Sequence, residues 1–180
     1  ADLDHSGTID AKDQTWIFDP VPDFNWGLNV QLGYKNFDLS MFFQGVYGVD
    51  VYNNQKFQTD FWSLTDAGSN KGNRMLGAWT EDNTSSKIPA LTTNNTGDEG
   101  RASTYFVEHG NWMKLRTLQL GYNFSDSLLK KLHMTSARVY VSGQNLFTWK
   151  SSSFTISDPE NPNWAYPHSS SVSFGLQLSF

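Results

Sequence analysis

An acidic stretch near the start of the sequence has the residue types and the spacing of a calcium-binding loop. It runs from Asp2 to Asp13 and places an oxygen-bearing side chain at every second position of its first half. Calcium binds all-oxygen ligand sets, and carboxylates this close together repel one another unless a cation lies between them. The predicted calcium ligands are Asp2, Asp4, Ser6, the backbone carbonyl of Thr8, Asp10 and Asp13.

The remaining positions of this loop refine the prediction. Gly7 stands where such loops turn sharply, and Ile9 stands where an apolar side chain points inward. Asp13 replaces the usual glutamate, and its shorter side chain makes bidentate ligation weaker. No amphipathic helix flanks the loop, so the sequence predicts a structural calcium clip and not a calcium-sensing switch. The alternative is an acidic, solvated loop without a metal.

The other residues with catalytic potential form no recognisable motif. The histidines at 5, 109, 133 and 168 have neither zinc-site nor nucleophile spacing, and the sequence has no phosphate-binding glycine loop. A pair of loop carboxylates could be chosen for glycoside cleavage, but any acidic set of loops offers such a pair. The acidic loop residues are Asp60, Asp66, Glu81, Asp82, Asp98, Glu99, Asp158 and Glu160. We therefore expect no catalytic residues and no enzyme.

Aromatic residues in the long irregular stretches are candidates for binding a substrate or a partner. Flat amphipathic rings stack on sugars and also anchor protein interfaces. The candidates are Trp62, Trp79, Trp149, Trp164 and Tyr166, with Tyr105 and Trp112 in the same set. The alternative for each residue is that it packs its own loop together.

The elements that position these residues are predicted to be β-strands. From Phe24 to Tyr34, apolar residues alternate without a break with Asn, Gln and Gly, and the pattern resumes at Phe37 after the turn Lys35-Asn36. Further alternating segments begin near Trp112 and at Ala137. The final segment covers residues 171–180. Each segment has about the 10 residues that cross a bilayer at a tilt.

Composition favours a membrane wall over a soluble sheet. Aromatic residues make up 15% of the chain and charged residues 17%, against about 25% in soluble domains. Aromatic residues also stand at the ends of the apolar faces, as in the two girdles of a transmembrane barrel. No apolar run approaches the roughly 18 residues of a spanning helix. The alternative is a soluble, calcium-stabilised, carbohydrate-binding β-sandwich, whose strands alternate in the same way.

Charge and cysteine content exclude two further classes. The net charge is -5 and the 13 basic residues are scattered, which argues against nucleic acid as a partner. The chain has no cysteine, so it has neither disulfides nor a thiolate metal site.

The connections between the predicted strands alternate between long and short. In barrels of the outer membrane the short turns are periplasmic and the long loops extracellular. This rule places residues 1–22, 48–111 and 146–170 outside the cell, and residues 23–180 form the strands and loops of the wall. The link at 125–132 resembles a capped helical turn, with Ser125 or Asp126 as the N-cap. Five strands cannot close a barrel, and no signal peptide is visible, so we expect a fragment that pairs with further strands.

The ordered motifs resemble the C-terminal end of SusC/RagA-type TonB-dependent outer-membrane transporters. Besides the acidic loop and the strand around Gly27, they are PVPDF at 20–24, YKNFDLS at 34–40, FQG at 43–45, KLR at 114–116, LGY at 120–122, SGQNLFTW at 142–149, DPENP at 158–162, YP at 166–167 and the terminal Phe180.

This resemblance implies an all-β fold: about five C-terminal antiparallel strands of a transmembrane β-barrel of about 22 strands, with long extracellular loops. It implies a multi-pass protein in the outer membrane of a Gram-negative bacterium, surrounded by lipid, that imports oligosaccharides or peptides. The implied partners are the rest of the barrel with its plug, a SusD-like lipoprotein lid, and the TonB complex acting through the plug.

Overall fold

A computed structural model describes residues 2–8, 10–61, 70–94, 99–161 and 165–180. The chain divides into two compact units. The first consists of residues 1–20 and 51–107, and the second of residues 21–50 and 108–180. The predicted inward position of Ile9 lies outside the described residues.

The second unit is built on a five-stranded antiparallel sheet with the order β1-β2-β5-β6-β7. Its strands are β1 (Phe24–Tyr34), β2 (Phe37–Tyr47), β5 (Trp112–Asn123), β6 (Ser136–Lys150) and β7 (Ser171–Ser179). Two short strands, β3 (Asp50–Tyr52) and β4 (Val107–His109), form a separate two-stranded sheet. The predicted antiparallel segment of a barrel wall is confirmed, and it is an open sheet that ends at β1 and β7.

The register places the alternating apolar residues of neighbouring strands on one face, whereas Phe42 and Val46 lie on the opposite face with Asn29 and Asn25. Leu32 lies opposite Leu39, which lies opposite Leu120, then Val141 and Phe174 across the sheet. This apolar face is open: Leu32 is 58% exposed and Phe174 84% exposed. A β-sandwich would bury the same residues against a second sheet, so this alternative is not favoured.

Two strands are longer than the alternation predicts. β2 continues to Tyr47, and β6 continues to Lys150, past the predicted start of the loop at residue 146. The register of β5 and β6 shifts between Leu115 and Thr117, where Asn145 has a φ of 49°. A bulge of this kind lets a strand continue although its alternation is interrupted.

The turn between β1 and β2 and the helical link between β5 and β6 lie where the sequence predicts them. Lys35 has a φ of 53° in the turn between β1 and β2. Helix α2 (Asp126–Lys131) occupies the link between β5 and β6, and its N-cap position is Ser125. The Ser125 side chain forms no capping hydrogen bond, so the cap is positional only.

The first unit has an aromatic core that the strand pattern does not predict. It contains helix α1 (Gln55–Asp60) and 3₁₀ turns at Ala11–Asp13, Asn73–Gly77 and Thr104–Phe106. Phe106 is fully buried and stacks on Phe57 with 4.3 Å between ring centroids, and Phe61 and Tyr52 pack around it. The described parts of residues 48–111 therefore contain a short helix, 3₁₀ turns and two short strands.

No helix among the described residues is long and apolar enough to cross a membrane.

Candidate functional sites

The polar face of the sheet carries a buried cluster of ion pairs. Lys114 on β5 is only 2% exposed, and its Nζ donates to Asp158 Oδ1 at 2.7 Å and to Glu160 Oε2 at 2.6 Å. Arg116 also pairs with Glu160, and its Nε donates to Gln44 Oε1 at 2.9 Å. The cluster balances two cations against two carboxylates, as a buried charged group requires.

His168 completes this cluster on its more exposed side. Its backbone N–H donates to Asp158 Oδ2 at 2.8 Å, and its Nδ1 lies 2.9 Å from the same oxygen. Burial acts to raise the pKa of Asp158, but hydrogen bonds from His168 and Lys114 outweigh it and hold the pKa well below its usual range. Burial also acts to raise the pKa of Glu160, but hydrogen bonds from Lys114 and Arg116 outweigh this effect and lower the pKa. Both carboxylates are therefore charged at neutral pH.

The cluster fastens the connection between β6 and β7, residues 151–170, to the polar face. A second anchor supports it: Glu108 accepts from the backbone N–H of Thr155 at 2.8 Å and from its Oγ1 at 2.6 Å. At the far end, Ser170 Oγ donates to the carbonyl of Asn145 at 2.6 Å. The sequence predicts residues 146–170 as an extracellular loop, and the turn around Asp158 and Glu160 lies on the polar face of the sheet.

Asp158, Glu160 and His168 are close enough to hold a metal ion. The Lys114 ammonium, however, already lies within hydrogen-bond distance of both carboxylates. Because a resident cation neutralises them, we assign these residues to an ion-pair cluster and not to a metal site.

A second ion pair lies on the polar face near the short turns. Arg138 Nε donates to Asp38 Oδ2 at 3.1 Å across β5, and the guanidinium lies 5.2 Å from the Tyr140 ring. Gly121 stands between the two partners, and any Cβ there would overlap both charged groups. Gly175 similarly leaves room for the Tyr140 ring. These glycines let large polar side chains lie flat along the wall.

Sequence reasoning missed both ion-pair sites. It described the polar face as almost uncharged and treated Asp158 and Glu160 as ordinary loop carboxylates. The available signal was the pair Lys114 and Arg116 inside a strand with an otherwise neutral polar face, because buried cations require anionic partners.

The predicted calcium loop brings its carboxylates together. Ligand oxygens of Asp2, Asp4 and Asp13 lie within 4.8 Å of one another. Asp2 accepts from the backbone N–H of Gly7 at 2.8 Å, and Gly7 has the left-handed φ of 83°. Asp13 accepts from Leu3 at 2.6 Å, which closes the loop end to end. This donor set of oxygens fits a hard cation such as calcium.

The other three predicted ligands lie in the same loop. Ser6 Oγ donates to the Thr8 carbonyl at 3.1 Å, and Asp10 accepts from Lys12 N at 2.7 Å. A hydrogen bond from Ser6 lowers the pKa of Asp4, and one from the backbone of Asp10 lowers that of Asp13.

The aromatic candidates do not converge on one site. Trp149 lies in β6 on the apolar face, next to Phe147, which is the position of a girdle residue. Tyr166 is 95% exposed in the 151–170 connection, and Trp79 is exposed in the first unit. Trp62 and Trp164 lie outside the described residues.

Tyr105 and Trp112, the remaining aromatic candidates, support charged groups. Burial and the hydrogen bond to Asp60 raise the pKa of Tyr105 to about 12. Trp112 lies under Lys114 and Arg116, with 5.7 and 5.8 Å to its ring centroid. Both fit the structural alternative stated above for loop aromatics.

The first unit also contains an open cavity of about 1020 Å³ beside the acidic loop. Asp10 and Asp13 line one side, and Glu99, Arg101 and Tyr105 line another.

Comparison with known proteins gives relatives of one kind. TonB-dependent receptor P3 of Formosa agariphila is 34% identical over an alignment of 199 positions. This alignment covers 100% of this chain and 18% of the relative. TonB-dependent receptor SusC of Bacteroides thetaiotaomicron is 30% identical over an alignment of 187 positions. This alignment covers 99% of this chain and 17% of the relative. The chain thus spans less than a fifth of these relatives. No protein-family model matches it.

Solved structures agree with the sequence relatives. The RagAB peptide importer in its closed-closed state is 26% identical with a TM-score of 0.75. The match covers 97% of this chain and 20% of the importer chain. A second structure, the RagAB peptide transporter, is 28% identical with a TM-score of 0.72. The match covers 86% of this chain and 17% of the transporter chain.

Fold, site and relatives define a piece of a transmembrane barrel wall. The chain belongs to the SusC/RagA-type TonB-dependent transporters and corresponds to their C-terminal strands.

Proposed function

We propose that this chain forms the C-terminal wall of a TonB-dependent importer of nutrients in the outer membrane of a Gram-negative bacterium. The observation that carries the proposal is the division of the sheet into an open apolar face and a polar face with ion pairs, of which Lys114–Asp158 is buried. Only a wall between lipid and an aqueous interior places both faces in a favourable environment.

In this arrangement the polar face lines the interior through which cargo passes. The 151–170 connection, held by Lys114 and Arg116, is a fixed part of that lining. We propose oligosaccharides or peptides as cargo; a peptide cargo is favoured by the likeness to the RagAB peptide importer. Of the predicted candidate aromatics that lie in described loops, Trp79 and Tyr166 are exposed, and we propose that they contact the cargo.

The proposed partners follow from the open sheet and from the family. β1 and β7 pair with other strands of the same barrel, because unpaired edges are not tolerated in hydrocarbon. A SusD-like lipoprotein covers the extracellular side, where residues 1–22, 48–111 and the outer end of 151–170 lie. TonB acts through the plug of the same transporter.

An uptake assay tests this function. Cells that carry the complete transporter and its lipoprotein partner receive labelled peptides and labelled oligosaccharides, with a deletion strain as control. We expect energy-dependent accumulation of one cargo class only in the complete strain. Equal accumulation in the deletion strain, or accumulation that survives an uncoupler of the proton gradient, contradicts an energised importer.

We also propose that the loop from Asp2 to Asp13 binds calcium as a structural clip. The converging carboxylates, the oxygen-only ligand set and the left-handed turn at Gly7 support this proposal. The ion would balance the acidic side chains and hold the two ends of the loop together.

Terbium luminescence on the complete protein tests the calcium proposal. Asp4→Asn and Asp13→Asn each remove one charged ligand and are expected to weaken binding about tenfold. Asp82→Asn, an exposed acid outside the loop, is the matched control. Hydrogen bonds lower the pKa values of Asp4 and Asp13, so these two side chains remain charged ligands at neutral and mildly acidic pH. Equal affinity in all three variants contradicts the site.

A further inference from the structure

The apolar face is not uniform: it has a groove along β6. The residues that β6 presents on this face, from Ala137 to Gly143, are smaller than their neighbours. They lie between the longer side chains of β5 and β7. The groove has a volume of about 550 Å³ and is lined by Leu120, Tyr122, Val139, Val141, Phe174 and Leu176.

A cationic and amphipathic element lies at the end of this groove. Helix α2 immediately precedes β6 and contacts it. Lys130 and Lys131 are exposed in its last turn, whereas Leu128 and Leu132 expose apolar surface beside them. Apolar residues flanked by lysines are the pattern of an element at a membrane interface, where cations attract anionic headgroups.

We propose that this groove and helix α2 form a binding site for an anionic phospholipid. One acyl chain lies in the groove over Val139 and Val141, and the phosphate is held by Lys130 and Lys131. The apolar groove matches the chain and the lysines match the phosphate, so both parts of the ligand have a partner. The proposal rests on the membrane location proposed above.

Retained lipid is the quantity to measure. The complete transporter is purified in detergent, washed, and offered equal amounts of phosphatidylglycerol and phosphatidylethanolamine of one chain length. Native mass spectrometry then counts the lipids bound per protein. We expect the wild type to retain phosphatidylglycerol in preference.

Two variants separate the two parts of the site. Val141→Phe fills the groove and should lower retention about tenfold, whereas Val30→Phe, on the same face of β1, is the matched control and should not. Lys130→Gln with Lys131→Gln should lower the preference for phosphatidylglycerol roughly tenfold, whereas Lys87→Gln should leave it unchanged. Heat-modifiable mobility in electrophoresis verifies that each barrel is folded.

The outcomes are distinct. Equal retention by Val141→Phe and Val30→Phe, or equal binding of the two lipids by the wild type, overturns the lipid site. Recovery of the complete protein from the soluble fraction overturns the membrane location itself. Membrane recovery without retained lipid overturns this inference alone.

Discussion

Lys114 shows how a single residue determines the course of a long connection. Its ammonium lies buried between Asp158 and Glu160, which are far from it in sequence. Removing one partner of a buried ion pair costs about 3–5 kcal/mol, because the other charge remains buried and unpaired. The position of residues 151–170 therefore depends on this side chain.

The first prediction concerns this residue. Lys114→Met keeps the length of the side chain but removes the charge, so the buried Asp158 and the half-buried Glu160 lose their shared partner. We expect amide hydrogens of residues 151–170 to exchange much faster, measured by hydrogen exchange and mass spectrometry on the complete protein. Lys35→Met, in the exposed turn, is the control. Unchanged protection in Lys114→Met contradicts the anchoring role.

The second prediction concerns pH. Folded-state pKa values of Asp158 and Glu160 lie below their ordinary values of 3.8 and 4.5. A lowered pKa stabilises the fold at every pH above the ordinary value, and this contribution is lost as the pH falls through the lowered value. Protection of residues 151–170 should therefore stay constant from neutral pH to about 4.5 and decrease below it. A loss of protection between pH 7 and 5 would contradict these charge states.

The proposed calcium loop and the ion-pair cluster around Lys114 differ in how far the sequence predicts them. The proposed calcium loop is local: all six candidate ligands lie within residues 2–13, so their spacing alone indicates a geometry. The cluster around Lys114 is not local. Lys114 lies on β5, whereas Asp158 and Glu160 lie in the connection between β6 and β7. Only the register of β5 and the path of residues 151–170 bring them together. No spacing rule encodes such a path.

At the scale of elements, unbroken alternation gave exact boundaries and interrupted alternation did not. β1 has the predicted limits because every side chain from Phe24 to Tyr34 agrees with one face. β6 extends beyond its prediction because Asn145 and Leu146 reverse the expected polarity at a bulge. The small elements within 51–107 depend on aromatic packing around Phe106, which leaves no period in the sequence.

The third prediction belongs to strand β7. Phe174 and Ser173 are neighbours whose side chains lie on opposite faces. An arginine on the lipid face near mid-membrane costs about 2–4 kcal/mol, whereas the aqueous face accepts it. Phe174→Arg should therefore reduce the amount of folded barrel in the outer membrane, and Ser173→Arg should not. Equal assembly of both variants, judged by heat-modifiable mobility, would show that the faces are misassigned.

At the scale of the whole molecule, the sheet is a wall that needs neighbours on both sides. Its five strands end at β1 and β7, its apolar face is open, and its polar face is filled by charged groups and by the 151–170 connection. All three properties are typical of one sector of a large barrel, and relatives roughly five times longer agree with this size.

The central claim is that the apolar face meets lipid and the polar face meets water. The chain contains no cysteine. Single cysteines at positions 171–174 and 176–178 of a complete transporter without other accessible thiols can therefore carry a spin label. Position 175 is left out, because a side chain there would overlap the Tyr140 ring. Paramagnetic accessibility is then measured with oxygen, which partitions into lipid, and with a water-soluble nickel complex.

We predict period-two alternation: positions 172, 174, 176 and 178 accessible to oxygen, and positions 171, 173 and 177 shielded from it and more accessible to nickel. If the even positions are instead protected from both reagents, they lie in a protein core, and the account of this chain as a membrane wall is wrong.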